Sequence, residues 1–156
     1  MNSNENTHLE DNDLLVKNEN ITEWILSVNP NMFDHIGAFA KRGYIDWRQF
    51  YNFSVGDIVY MYCSKQIHRI NAVAEVVATN LSKDEVGDFS EFWNDGTNQN
   101  KNITRYFRLR PRLILDDDRL DLHILMEHGL SAAPQVAYKL NQELSNYIHG
   151  VLESIL

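Results

Sequence analysis

Apolar residues recur along this chain with two periods, and those periods predict its elements. Residues 22–28 form a short, largely apolar run that reads as a buried strand. Asn29-Pro30-Asn31 ends it, because proline cannot continue a central ladder. Phe33, Ile36, Phe39 and Ala40 then recur at helical spacing within 32–42. Asn29 or Asn31 is a candidate cap for that helix, and Gly43 its C′ residue. Residues 44–52 read as an exposed turn or loop, and Val55-Gly56-Asp57 as a tight turn. Residues 58–63 and 72–79 are strands rich in β-branched and aromatic side chains, and their short connection predicts an antiparallel hairpin. The polar stretch 80–104, interrupted by Phe89, Phe92 and Trp93, predicts a long loop holding an irregular helical turn. In the strand predicted over 104–115, alternation puts Tyr106, Arg108, Arg110 and Arg112 on one face, while Pro111 demands an edge or a bulge. A short helix over 120–128 closes at Gly129, and 138–155 carries the clearest apolar helical stripe, from Leu140 to Ile155. A strand, a helix, several antiparallel strands and terminal helices make an α+β pattern with a small curved sheet or barrel.

Composition sharpens that outline. Hydrophobic residues make up 44% and aromatics 11% of 156 residues, enough for one real core. Residues 1–20 differ: they are rich in Asn and Glu and set five acids against one lysine. They predict a disordered acidic tail, docked if at all through Leu14-Leu15-Val16, ahead of a domain over 21–156. The net charge of −8 argues against whole-surface binding to nucleic acid. Residues 101–112 nevertheless hold Lys101, Arg105, Arg108, Arg110 and Arg112 without one acid, a local strip suited to phosphates. No apolar run is long enough to cross a bilayer, and the first residues lack the pattern of a signal peptide. Cys63 stands alone, so no internal disulfide or thiolate cage forms, and a cytoplasmic setting is expected.

Catalytic patterns are weak. Cys63 and His68 are the only thiol–imidazole pair close in sequence, and a structural cysteine is the simpler reading. His123 and His128 are five apart, off any common helix face, and Asp116-Asp117-Asp118 reads as a solvated turn or cap. No acid is followed two positions later by Lys, and glycine-rich phosphate loops and Gly-x-Ser-x-Gly elbows are missing. No catalytic residue, metal or cofactor is expected.

Several short segments together resemble the EVE domain of the PUA-like superfamily. They are Trp24-Ile25, Asn29-Pro30, Phe33-Asp34, Gly37-Ala38-Phe39, Ile45-Asp46-Trp47, Gly56 through Tyr62, Glu75-Val76, Glu127-His128-Gly129-Leu130, Pro134-Gln135, Glu143-Leu144 and Tyr147-Ile148. They span about 22–150, and their order carries the resemblance more than any one motif. Val136-Ala137-Tyr138 departs from the Gly-Pro-like turn expected there. The resemblance implies a small barrel-like sheet flanked by helices and a pocket for a flipped-out, often modified, base. It also implies DNA or RNA as partner, with restriction or RNA-modification proteins nearby.

A base needs an aromatic wall, a few edge contacts and cations for its phosphates. Trp47 in its polar loop is a pocket wall or a lid on the core; Tyr62, near a strand end, is a second candidate wall, while Tyr60 and Trp24 read as core. Ser27, Asn29, Ser64 and Gln135 are the candidates for edge contacts, with turn chemistry as the competing role for Asn29. Arg105, Arg108, Arg110 and Arg112 are the candidate phosphate contacts, or else a solvated face paired with Asp116–Asp118. The leading expectation is a non-catalytic reader of a modified base. The alternatives are a protein-interaction module, monomer or homodimer, using the stripe over 140–155, and a small-molecule or nucleotide sensor.

Overall fold

The computed structural model describes residues 20–94 and 102–156. The predicted acidic tail lies outside the described residues, apart from Asn20. Strand β1 (Glu23–Val28) is followed by helix α1 (His35–Arg42), β2 (Ile45–Arg48), β3 (Ile58–Cys63), β4 (Arg69–Leu81) and β5 (Tyr106–Ile114). Helix α2 (Leu122–Glu127), the two-residue β6 (Tyr138–Lys139) and helix α3 (Gln142–Ile155) complete the chain. The six strands form one curled half-barrel sheet, in the order β2-β5-β4-β3-β1-β6. The predicted β3–β4 hairpin is present and antiparallel, while β1 runs parallel to β3.

Both faces of the sheet are covered, which is why β3 is apolar at every position and buried at every position. On one face Trp24, Leu26, Val59, Met61 and Phe107 meet Phe33, just ahead of α1, and Phe39 within it. On the other, Ile25, Tyr60, Tyr62 and Val73 pack under Leu144, Ile148, Val151 and Leu152 of α3. The apolar stripe of α3 is thus covered within one chain, except that Ile155 at its end stays exposed.

Three expectations are corrected. The segment 44–52 is not an exposed loop: its first half is β2, paired antiparallel with β5 through Trp47 opposite Phe107. Its alternation was hidden because Asp46 and Arg48 interrupt a short run, yet Asp46 is buried by its pairing with Arg108. Helix α1 starts later than predicted, capped by Asp34, whose carboxylate accepts from the Gly37 N–H at 2.9 Å. Asn29 instead accepts from the Asn31 N–H in a local turn. The last helix starts at Gln142, where the Asn141 side chain accepts from the Leu144 N–H; Tyr138 and Lys139 are drawn out to pair with the edge of β1. Gly43 does end α1 in the left-handed region, at φ 78°. Pro111 lies at a bulge in the β4–β5 ladder, beyond the end of β2, where no ladder bond needs its missing N–H.

The long connection before β5 doubles back onto the start of α1. Phe33 and Trp93 form an isolated bridge, and the Asn94 N–H donates to the Met32 carbonyl at 2.8 Å. This bridge places Trp93 parallel to Trp47, with ring centroids 5.7 Å apart.

Candidate functional site

The end strands of the sheet, β2 and β6, leave a gap between them, and a cavity of about 90 Å³ lies there. Beyond the two residues of β6, the segment 135–137 parts from β1, and Leu26 and Ser27 line one side of the opening with Gln135, Val136 and Ala137. Trp47 and Arg48 of β2 and Phe107 of β5 line the other. Phe53 lies deeper, stacked on Phe107 with centroids 4.1 Å apart. Phe50 stands at the mouth, 63% exposed, beside the exposed Val136 and Gln135.

Trp47 is both wall and core. It lines the cavity, but it is only 7% exposed and sits edge-on to Phe33 at 5.1 Å. The two roles offered by the sequence are therefore held by one side chain. Arg48 was not singled out from the sequence, and it is the most unusual group here. Its guanidinium lies over the Trp47 and Trp93 rings, at 5.2 and 5.7 Å. Its Nε is buried and has no hydrogen-bond partner among the described residues. Burial lowers the Arg48 pKa from its ordinary value, and the nearby Tyr106 hydroxyl opposes that shift. The available signal was the Trp-Arg pair itself, one aromatic and one cation side by side in a polar stretch.

Of the six candidate base contacts, Ser27, Trp47 and Gln135 meet at this cavity. Tyr62 does not: it belongs to the opposite face of the sheet, 1% exposed, with its hydroxyl 3.5 Å from His68 Nδ1. The two-residue period sends even positions of β3 toward α3 and odd ones toward α1. Ser64 donates to the Val28 carbonyl at 3.2 Å, and Asn29 holds its turn; neither lines the cavity.

The arginines have partners other than Asp116–Asp118. Arg108 forks onto Asp46 through Nε and Nη2, at 2.7 and 3.0 Å, and covers the Tyr44 ring. Arg112 bonds Glu75, and Arg110 reaches the same carboxylate only at 3.9 Å. Arg105 donates to Asn80 Oδ1 at 3.2 Å. Arg110 remains the most open of the three ion-paired arginines in this strand, 56% exposed. Asp116 and Asp117 are taken up by Arg69 and Arg119.

Cys63 is fully buried, and burial raises its thiol pKa against the opposing hydrogen bond from Asn71. That environment suppresses the thiolate a nucleophile needs. Among the described residues, no three His, Cys, Asp or Glu side chains converge on a point that would hold a metal ion. No helix among them is long and apolar enough to cross a membrane.

No family model matches the sequence, and no curated protein matches it. Solved structures do. A hypothetical protein from Leishmania major superposes with a TM-score of 0.61 at 20% identity, covering 89% of this chain and 99% of that one. The ASCH protein of Zymomonas mobilis superposes at 0.56 with 14% identity, over 83% and 95% of the two chains. Human THYN1, solved in complex with DNA containing 5-methylcytosine, superposes at 0.56 with 10% identity, over 85% and 98%. The chain has the PUA-like fold. At these identities the likeness speaks for the backbone path alone. The PUA-like frame here is the curled sheet, with the cavity in the gap between its edges.

Proposed function

We propose that this chain is a non-catalytic nucleic-acid-binding module that lodges one base, carrying a small modification, in the cavity beside Trp47. The observation that carries the reading is the cavity's composition. Flat rings form its walls, a half-buried cation lies at one side, and polar and apolar side chains share its rim. A pocket for a drug-sized ligand or whole cofactor takes about 300–1,000 Å³. This one has about 90 Å³ and suits a single planar ring whose sugar and phosphates stay outside. That size disfavours the nucleotide-sensor alternative. The burial of the α3 stripe disfavours the interaction-module alternative. Human THYN1, with the same fold and a 5-methylcytosine DNA, supports the choice of a modified base.

Fluorescence anisotropy with short DNA and RNA strands, each carrying one cytosine or one 5-methylcytosine, tests the reading. Burying one methyl group is worth about 0.8 kcal/mol, so the methylated strand binds roughly fourfold tighter. Phe50→Ala and Gln135→Ala weaken that binding and leave the melting temperature within a degree or two, since both side chains are exposed. Equal affinity for every strand, unchanged by either substitution, refutes the proposal.

A further inference from the structure

Arg48 is the one residue at the cavity that the described structure leaves unfinished. It sits at the end of β2, and its guanidinium rests on two parallel indoles. Its Nε is shut off from solvent without an acceptor. A buried donor without a partner is costly, more so when it is charged, and native structures rarely tolerate one without a reason. The guanidinium also covers part of the ring face on which an inserted base would stack.

We infer that Arg48 is the specificity-determining residue of this pocket, and that it selects a base whose edge presents two adjacent acceptors. The inference rests on the base-binding reading above. As a base enters, the guanidinium turns off the indole, frees the ring face for stacking and finds an acceptor for its stranded donor. A guanidinium fork fits paired acceptors, as it does on guanine O6 and N7. Cytosine presents such a pair at O2 and N3, and its single ring matches the small cavity. Thymine has a donor at N3 and breaks the pair. The ligand class is therefore a cytosine ring, with 5-methylcytosine and thymine as the critical comparison: they share the methyl group and outline and differ in donor–acceptor pattern.

The experiment measures binding of full-length wild type, Arg48→Met and Arg48→Lys to strands with 5-methylcytosine or thymine at one position, across a salt series. Wild type prefers 5-methylcytosine by tenfold or more. Arg48→Met keeps an apolar chain against the indoles, loses most of that preference and keeps the salt dependence. Arg48→Lys keeps the charge but lacks the fork, so it fails to restore the preference. Three results overturn the inference: an unchanged preference in Arg48→Met, full rescue by lysine, or a salt slope reduced by about one with the preference intact, the mark of a phosphate contact. Wild type that binds neither strand defeats the base-binding reading itself, and Arg48 with it. Wild type that prefers methylated cytosine while Arg48→Met does so equally defeats only the role of Arg48.

Discussion

The two faces of the sheet are built from different side chains, and the cavity beside Trp47 belongs to the face toward α1. Under α3 the buried residues are mostly aliphatic, from Ile25 and Val73 to Leu144, Ile148 and Leu152. Branched chains interdigitate with a helix stripe and leave little space. Even the polar groups there are used up: Glu23 accepts from Tyr60, Ser145 and His149, the last at 2.6 Å. The face toward α1 is crowded with rings, including Trp24, Phe33, Trp47, Phe53 and Phe107. Rigid planes pack by stacking and by edge contacts, and where the sheet leaves its gap they leave a hollow between them. The hollow beside Trp47 therefore follows from ring packing at an open seam, and the closed face under α3 shows the same sheet packed with branched chains.

The sharpest way to break this comparison is to truncate one residue on each face. Leu152→Ala on the closed face should cost about 2–5 kcal/mol of stability. It should leave base affinity unchanged in the folded fraction. Trp47→Ala should cost about 3–5 kcal/mol and also remove base binding, because the same indole packs against Phe33 and walls the cavity. Urea denaturation with anisotropy on the folded protein separates the two effects. Loss of binding without loss of stability would make Trp47 a wall only, contrary to its burial.

Acid is the next probe, aimed at the closed face alone. Burial pushes the Glu23 carboxyl up, but the hydrogen bonds from His149, Ser145 and Tyr60 together outweigh it, so its pKa falls below the ordinary 4.5. A carboxylate with a depressed folded pKa adds stability that is fully present above its unfolded value. That stability is lost as pH falls through the folded value. Wild type should therefore lose stability below about pH 4.5, and Glu23→Gln should be less stable at pH 7 with a flatter acid limb. Chemical denaturation at steps from pH 7 to pH 3 reads both. A Glu23→Gln curve parallel to wild type would show that the α3 clamp is idle.

Elements with long, clean periods were legible in the sequence: β3, β4 and most of α3 follow directly from their apolar spacing. What was not legible depends on partners far along the chain. β2 looked like a loop because Asp46 is buried through partners far along the chain, the Gly87 N–H and Arg108, 62 residues away. The extra strand at Tyr138 and Lys139 exists only because the edge of β1 is there to pair with it. At the site, Ser27, Trp47 and Gln135 were legible as residue types near strand ends. Tyr62 was misplaced because its face is set by the pleat, and strand-end position alone says nothing of face. Arg48 was missed because an arginine in a polar stretch looks solvated until the two indoles close over it.

The smallest expected effect concerns the arginine strand, and it sharpens where the open face ends. Charge pattern alone treats Arg108 and Arg110 as equals. Their surroundings do not. Arg108→Glu would set a second carboxylate against the buried Asp46, so its main effect is on stability. Arg110 has its nearest acid at 3.9 Å and projects into solvent, so Arg110→Glu should leave stability within about 0.5 kcal/mol. If this arginine meets one phosphate of the bound strand, its reversal lowers the salt slope of binding by about one. It does so equally for cytosine and 5-methylcytosine strands, because a backbone contact carries no base identity. A slope that stays at the wild-type value would confine the nucleic acid to the seam between β2 and β6, and the arginine strand would then serve only to bind Asp46 and Glu75 within the fold.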